Sequence, residues 1–360
     1  MKKIFIIFLV FFSILISCTQ KKPLFVGFTN SDIEYSGRID TVSLEAAQIS
    51  WSGTSIKLNF EGESINAIFS DENGENYYNI FIDNEFSNIL KLDSVKRSYE
   101  LASNLERGKH SVEIFKRTEW GNGISNFYGF EIINGKILTK SISKKRKMEF
   151  YGNSISAGYA VDDFSGRDLH DSIYTNNYKS YTALTARHYD AKYHCICKSG
   201  IGVTVSWDSM IMPEIYDKLI PTDSASYWDF SNYTPDIVVV NLFQNDSWLV
   251  ELPEYEEHIK RFKNTPPSDK FLINAYQDFI QNLRKKYPKA NIICTLGSMD
   301  AAKEGSKWIR YIKTAVSKLK DDKIFTHFMP YIKSNAHPSV KDNEIMSKEL
   351  IHFIDNNIDW

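Results

Sequence analysis

Met148-Glu149-Phe150-Tyr151-Gly152-Asn153-Ser154-Ile155-Ser156-Ala157-Gly158 decides the fold. The apolar run from Met148 to Tyr151 reads as a buried strand. Gly152 ends it, and Ser154 follows in a tight turn of small residues that leads toward a helix. A serine at the carboxyl end of a strand, on such a turn, is where a parallel α/β sheet exposes a nucleophile. The backbone amides there point outward and can receive a developing oxyanion. A Gly-Asn-Ser turn is also ordinary loop chemistry, so the reading needs support from the rest of the chain.

Downstream, strand and helix alternate. Residues 148–151, 192–197, 236–243, 291–296 and 323–328 read as strands. Residues 178–189, 271–286, 306–319 and 340–354 read as helices. The run Asp236-Ile237-Val238-Val239-Val240-Asn241-Leu242-Phe243 is the clearest buried parallel strand. This pattern predicts a three-layer α/β/α domain over 148–360 with a parallel sheet. Upstream the period is two: Ile56, Leu58, Phe60; then Ile65, Ala67, Phe69; then Tyr78, Ile80, Ile82; then Val112, Ile114. Glu61-Gly62, Asn73-Gly74 and Asn134-Gly135 supply turns between them. Short alternating strands with regular turns predict an all-β sandwich over 31–140. A basic linker, 141–147, joins the two domains.

The residues just past each predicted strand share one chemistry. Ser154 follows the first. Ser199-Gly200-Ile201-Gly202 follows the second, and Gln244-Asn245-Asp246 the third. Ser334-Asn335-Ala336-His337-Pro338 precedes the last helix. In an open parallel sheet these ends form one crevice. A nucleophile, a base and oxyanion donors therefore converge, which is what acyl transfer needs.

These blocks resemble the SGNH (GDSL-type) hydrolases, and within them carbohydrate esterase family 2, deacetylases with an amino-terminal jelly-roll sandwich. The resemblance covers nearly the whole mature chain. It includes Ile33-Glu34-Tyr35-Ser36-Gly37-Arg38 and Glu113-Ile114-Phe115-Lys116-Arg117-Thr118-Glu119 in the first domain. It implies removal of O-acetyl groups from acetylated polysaccharides or oligosaccharides through an acetyl-serine intermediate, with no metal or cofactor. It implies Ser154 as nucleophile and His337 as general base. Asn245 and a glycine amide, with the Ser154 amide, are the implied oxyanion donors. Counting back from Thr204 favours Gly202, and the strand end favours Gly200.

The chain departs from the family pattern at four positions. Asn153 replaces an aspartate, Phe243 a glycine and Gln244 a small residue. Ser334 replaces the aspartate before the histidine, so the expected mechanism is a Ser–His dyad with a main-chain carbonyl orienting His337. Asp162 and Asp163, in the loop after the nucleophile, are the candidates for a replacement acid, although loop acids are ordinarily just solvated. Phe243 is expected to narrow a small acyl pocket. Trp248 and Trp207 are candidates for stacking on sugar, against an ordinary role as core. Lys116 and Glu119 read as inter-domain or surface polar residues. The alternatives are a catalytically impaired carbohydrate-binding lipoprotein on this scaffold, an esterase for another acyl ester, and a purely structural envelope protein.

The amino terminus reads as a targeting segment. Lys2 and Lys3 precede the apolar run 4–16, too short to span a bilayer. Leu15-Ile16-Ser17-Cys18 resembles a bacterial lipobox, which predicts a signal peptide over 1–17, lipidation at Cys18 and a tether over 18–30. The alternative is an ordinary secretory signal with a chance cysteine. Loss of Lys2 and Lys3 would leave 41 basic against 45 acidic residues, a charge of −4. With no basic block beyond Lys144 to Lys147, nucleic acid is not an expected partner. The expected location is the bacterial cell envelope, with a lipid tether, outer membrane favoured. Cys195, Cys197 and Cys294 are an odd set and predict buried small hydrophobes rather than disulfides.

Overall fold

The computed structural model describes residues 22–42, 45–141, 144–263, 265–332 and 336–360. The signal segment, Cys18 and Ser334 lie outside the described residues.

The alternating upstream residues build two antiparallel six-stranded sheets. One runs Ile39–Asp40, Ala47–Ile49, Ser125–Ile133, Ser64–Asp71, Arg97–Ala102. The other runs Lys136–Leu138, Ser55–Glu61, Lys109–Lys116, Tyr77–Ile82, Glu85–Lys91, with Glu34–Ser36 also pairing with Ser55–Glu61. Ile56, Leu58 and Phe60 of one face Ile65, Ala67 and Phe69 of the other in a single core, none more than 1% exposed. Burying each such side chain contributes roughly 1.5–3 kcal/mol. The expected tether is corrected here. Leu24–Gly27 is a strand that pairs with Gly129 to Ile132 and buries Val26. Four residues with one inward side chain are too few to show a period.

The second domain carries a five-stranded parallel sheet, ordered Lys192–Cys197, Lys147–Gly152, Ile237–Asn241, Asn291–Thr295, Ile324–Thr326. Every residue of Ile237–Asn241 is buried, as a central strand covered on both faces must be. Helices Asp269–Lys286, Lys307–Leu319, Tyr181–His188 and Val340–Asn357 cover those faces. The register brings Gly152 opposite both Cys197 and Asn241, so the segments past these residues leave side by side. Cys195, Cys197 and Cys294 are free and buried.

The domains are joined by more than the linker. Arg38 of the sandwich is fully buried in the second domain, where its guanidinium donates to Glu149 at 3.2 Å, to the Tyr151 hydroxyl at 2.9 Å and to the Tyr216 carbonyl at 2.5 Å. Burial alone would raise the Glu149 carboxyl, but Arg38 and His194 overcome it and hold it at about 2. A cavity of about 330 Å³ also lies between the domains. It is lined by Lys192 and Arg187 at the amino-terminal end of the sheet, away from Ser154.

Candidate active site

Ser154 opens the short helix Ser154–Ala157, whose first turn is capped locally. Asn153 caps that helix: its Oδ1 accepts the Ile155 N–H at 3.1 Å, so the amide keeps the acceptor a carboxylate would supply. From the far end of the chain, His337 Nε2 lies 2.8 Å from Ser154 Oγ. Pro338 and Ser339 follow directly, and Asn343 on the last helix fixes both carbonyls at 3.0 Å. The same Asn343 accepts the Tyr181 N–H at 2.9 Å, tying this segment to the helix that covers the nucleophile strand. The Tyr159 ring packs 4.8 Å from the imidazole.

His337 has a carboxylate partner, and the expected dyad is corrected on that point. Asp168 Oδ2 lies 2.8 Å from His337 Nδ1, and Asp168 Oδ1 accepts the His337 backbone N–H at 2.9 Å. Partial burial raises the Asp168 carboxyl, but the bonds and charge of His337 outweigh it and hold the group below its ordinary value. Neither predicted acid takes this place. Asp162 is engaged by Arg117 at 2.9 Å and Lys179 at 2.7 Å. Asp163 folds the loop around itself, accepting the N–H groups of Ser165, Arg167 and Leu169 at 2.9, 3.1 and 3.0 Å. That loop presents Asp168 in a left-handed conformation, φ +56°.

The structure separates the two candidate glycines. Gly202 N–H donates to Ser206 Oγ at 2.9 Å, and a side chain there would strike the Val205 carbonyl and the Asp246 carboxylate. Gly202 is thus needed for close packing, and its donor is occupied. Gly200, at φ +78°, has no acceptor for its N–H among the described residues, and neither does Ser154. Asn245 sits on Gln244–Leu249, where Nδ2 donates one hydrogen to the Ile201 carbonyl at 2.8 Å and keeps a second. Asp246 accepts from Val203 N at 2.9 Å and from Thr204 N and Oγ1 at 2.7 Å each, which locks the segment after Gly202. Burial pushes its carboxyl up, opposed by these bonds.

Phe243 is corrected. It is wholly buried and packs against Tyr276 and Trp308 in the core, at 4.8 and 5.0 Å, so it does not shape the crevice. Its φ of +87° explains why glycine suits this position. Gln244 is buried as well, bridging to Asp300 at 2.7 Å. The same Asp300 takes the Trp248 indole N–H at 2.9 Å, so that tryptophan is anchored by its edge and only partly exposed. Trp207 is the more exposed of the two tryptophans, at 41%, and its backbone N–H donates to the Gly200 carbonyl at 3.0 Å. Among the described residues no group of three His, Cys, Asp or Glu is placed to hold a metal.

Residues 35–141 match the model of the carbohydrate esterase 2 N-terminal domain. Over 92% of its length the chain is 28% identical to the cellulase/esterase CelE of Acetivibrio thermocellus, of which it spans 40%. It is 26% identical, over 93% of its length and 91% of the relative's, to an acetylxylan esterase / glucomannan deacetylase of Cellvibrio japonicus. By sequence and by fold, the chain resembles the family two carbohydrate esterases. The solved family two esterase from Clostridium thermocellum, in complex with cellohexaose, superposes with a TM-score of 0.80 at 29% identity, over 90% of this chain and 98% of that one. The family two esterase from Cellvibrio japonicus gives 0.83 at 25%, over 94% and 98%. The two-domain architecture of those esterases and the SGNH-type second domain are therefore those of this chain.

Proposed function

We propose that the protein is a carbohydrate acetyl esterase that removes O-acetyl groups from acetylated polysaccharides or oligosaccharides by a serine mechanism. The observation that carries this is the line Asp168, His337, Ser154, each link 2.8 Å long. Ser154 Oγ attacks the acetyl carbonyl while His337 Nε2 takes the hydroxyl proton. Asp168 orients the imidazole and stabilises its cationic form. The N–H groups of Ser154 and Gly200 and the free hydrogen of Asn245 Nδ2 receive the oxyanion. Collapse breaks the ester bond, and His337 returns its proton to the sugar oxygen. A water then loses a proton to His337 and attacks the acetyl-serine. Acetate leaves and Ser154 is reprotonated.

Support for turnover over binding alone comes from the replaced family residues. Asn153 still caps, Phe243 is in the core, and Asp168 supplies a carboxylate for His337. The acetylated glycan as substrate draws on the named activity of the Cellvibrio japonicus relative. The test is acetate release from 4-nitrophenyl acetate, acetylated xylan and acetylated glucomannan by the protein beside S154A and H337A. A fall of at least about a hundredfold in both supports the serine mechanism. Wild-type turnover no greater than that of the two folded variants would sink it and favour a binding role. Lipidation at Cys18 would tether this activity to an envelope membrane. Release of a Cys18→Ala form from the membrane fraction is the expected result.

A further inference from the structure

The four residues Lys116-Arg117-Thr118-Glu119, at the end of the sandwich strand Lys109–Lys116, are all buried. Charged side chains withdrawn from water are costly unless they are paired or hydrogen-bonded, and Lys116, Arg117 and Glu119 each have such partners. Lys116 Nζ is spent within the sandwich, on Asn76 Oδ1 at 2.6 Å and the carbonyls of Thr118 and Glu119 at 3.3 and 3.1 Å. This fixes the path of the chain through Glu119. Arg117 reaches one wall of the crevice, bonding Asp162 at 2.9 Å and the Ile173 carbonyl at 2.7 Å on either side of the loop that carries Asp168. Glu119 reaches the other wall. Its Oε2 accepts the Ser199 N–H at 2.5 Å, and its Oε1 accepts the Ser199 hydroxyl.

Ser199 is the residue before Gly200, and its carbonyl is also held, by Lys198 Nζ at 3.1 Å. Ser199 is thus held at its N–H and hydroxyl by Glu119, and at its carbonyl, which belongs to the peptide it forms with Gly200, by Lys198. In a trans peptide the C=O and N–H point in opposite directions. The Lys198 ammonium, itself anchored by Asp208, therefore aims the Gly200 N–H away from Lys198.

We infer that Glu119, a residue of the β-sandwich domain, is a positioning residue for the oxyanion site: with Lys198 it clamps Ser199 and sets the direction of the Gly200 N–H. The sandwich is then part of the catalytic apparatus and not only an appended module. The catalytic consequence rests on the esterase reading above; the conformation of the turn does not.

The experiment uses the purified protein with E119A, E119Q and K198M, each checked for folding by its thermal midpoint. Glutamine keeps the length and one acceptor for the Ser199 N–H, so E119Q is the conservative rescue. With 4-nitrophenyl acetate, E119A is expected to lower kcat by about tenfold to a hundredfold with KM within about twofold, as a misaimed oxyanion donor does. E119Q is expected to recover most of that loss. In 15N-glycine-labelled protein, the Gly200 amide resonance, assigned with G200A, is expected to move in E119A and K198M. A Gly200 resonance unmoved in E119A overturns the proposal whatever the activity. So does a folded E119A with wild-type kcat. If the wild-type protein proves inactive while the Gly200 resonance moves, the esterase reading fails and the clamp stands.

Discussion

Asp168 grips His337 at two points. Its Oδ2 faces the imidazole Nδ1 at 2.8 Å, and its Oδ1 accepts the backbone N–H of the same residue at 2.9 Å. The carboxylate therefore fixes both the ring tautomer and the segment that carries the ring. Replacing it by asparagine keeps the shape and one acceptor but loses the charge that stabilises the imidazolium. D168N is expected to lower kcat on 4-nitrophenyl acetate by about a hundredfold to ten-thousandfold, with little change in KM. Steady-state kinetics decide this. A variant within about threefold of wild type would return His337 to a dyad.

The oxyanion assignment makes a separate prediction. Asn245 carries the one side-chain donor in the set, and its second hydrogen is uncommitted. N245A is expected to lower kcat about a hundredfold to a thousandfold. It also loses the bond to the Ile201 carbonyl, a stability cost of about 1 kcal/mol. Kinetics at a temperature well below the unfolding midpoint separate the two effects.

Phe243 gives a contrasting case. The sequence suggests a residue that narrows the acyl pocket, and the structure buries it between Tyr276 and Trp308. F243A is expected to destabilise the protein by about 3–5 kcal/mol through loss of core volume. The preference for acetyl over butyryl 4-nitrophenyl esters is expected to stay within about twofold. A marked gain in butyrate hydrolysis would put the ring back in the pocket.

These residues also show what a sequence discloses. Ser154 is legible because its environment is local: a buried run, a breaking glycine and a capped turn lie within a few positions. The strand Ile237–Asn241 is legible because burial on both faces leaves a continuous apolar run. Asp168 carries no such mark. It lies in a polar loop, and its partner is 169 residues away, so only the folded chain brings them together. The one sequence signal is a surplus of acids after the nucleophile, and it points to Asp162 and Asp163, which hold the loop and its neighbours. The place of Glu119 at the crevice is hidden for the same reason, because its target, Ser199, is in the other domain. The Gly200 and Gly202 ambiguity was one of hydrogen-bond commitment, which spacing does not encode.

The buried Arg38–Glu149 pair predicts how the assembly responds to acid. Glu149 is held at about 2 against an ordinary value of 4.5, so the unfolded chain binds its proton first as pH falls. Its stabilising contribution is full above about pH 4.5 and is lost progressively toward pH 2. At pH 7, E149Q leaves Arg38 without its charge partner and is expected to cost about 3–5 kcal/mol. The gap in denaturant midpoint between wild type and E149Q should shrink as pH falls from 5 to 3. A constant gap would mean that the pair is not what stabilises this seam.

Trp207 supplies the last prediction. Its ring is 41% exposed, set at 5.2 Å against Tyr255, and its carbonyl accepts the Tyr255 hydroxyl at 2.6 Å. Its backbone N–H donates to the Gly200 carbonyl. The backbone of Trp207 is thus fixed beside Gly200 and its ring is propped against Tyr255, so a sugar stacked on it orders little else in the protein. W207A is expected to raise KM for acetylated glucomannan or xylan by about threefold to tenfold, the worth of one aromatic contact. Turnover of 4-nitrophenyl acetate, which has no sugar to stack, should change by less than about twofold in kcat. An equal loss on both substrates would show that the ring acts by supporting Gly200 instead of by holding the glycan.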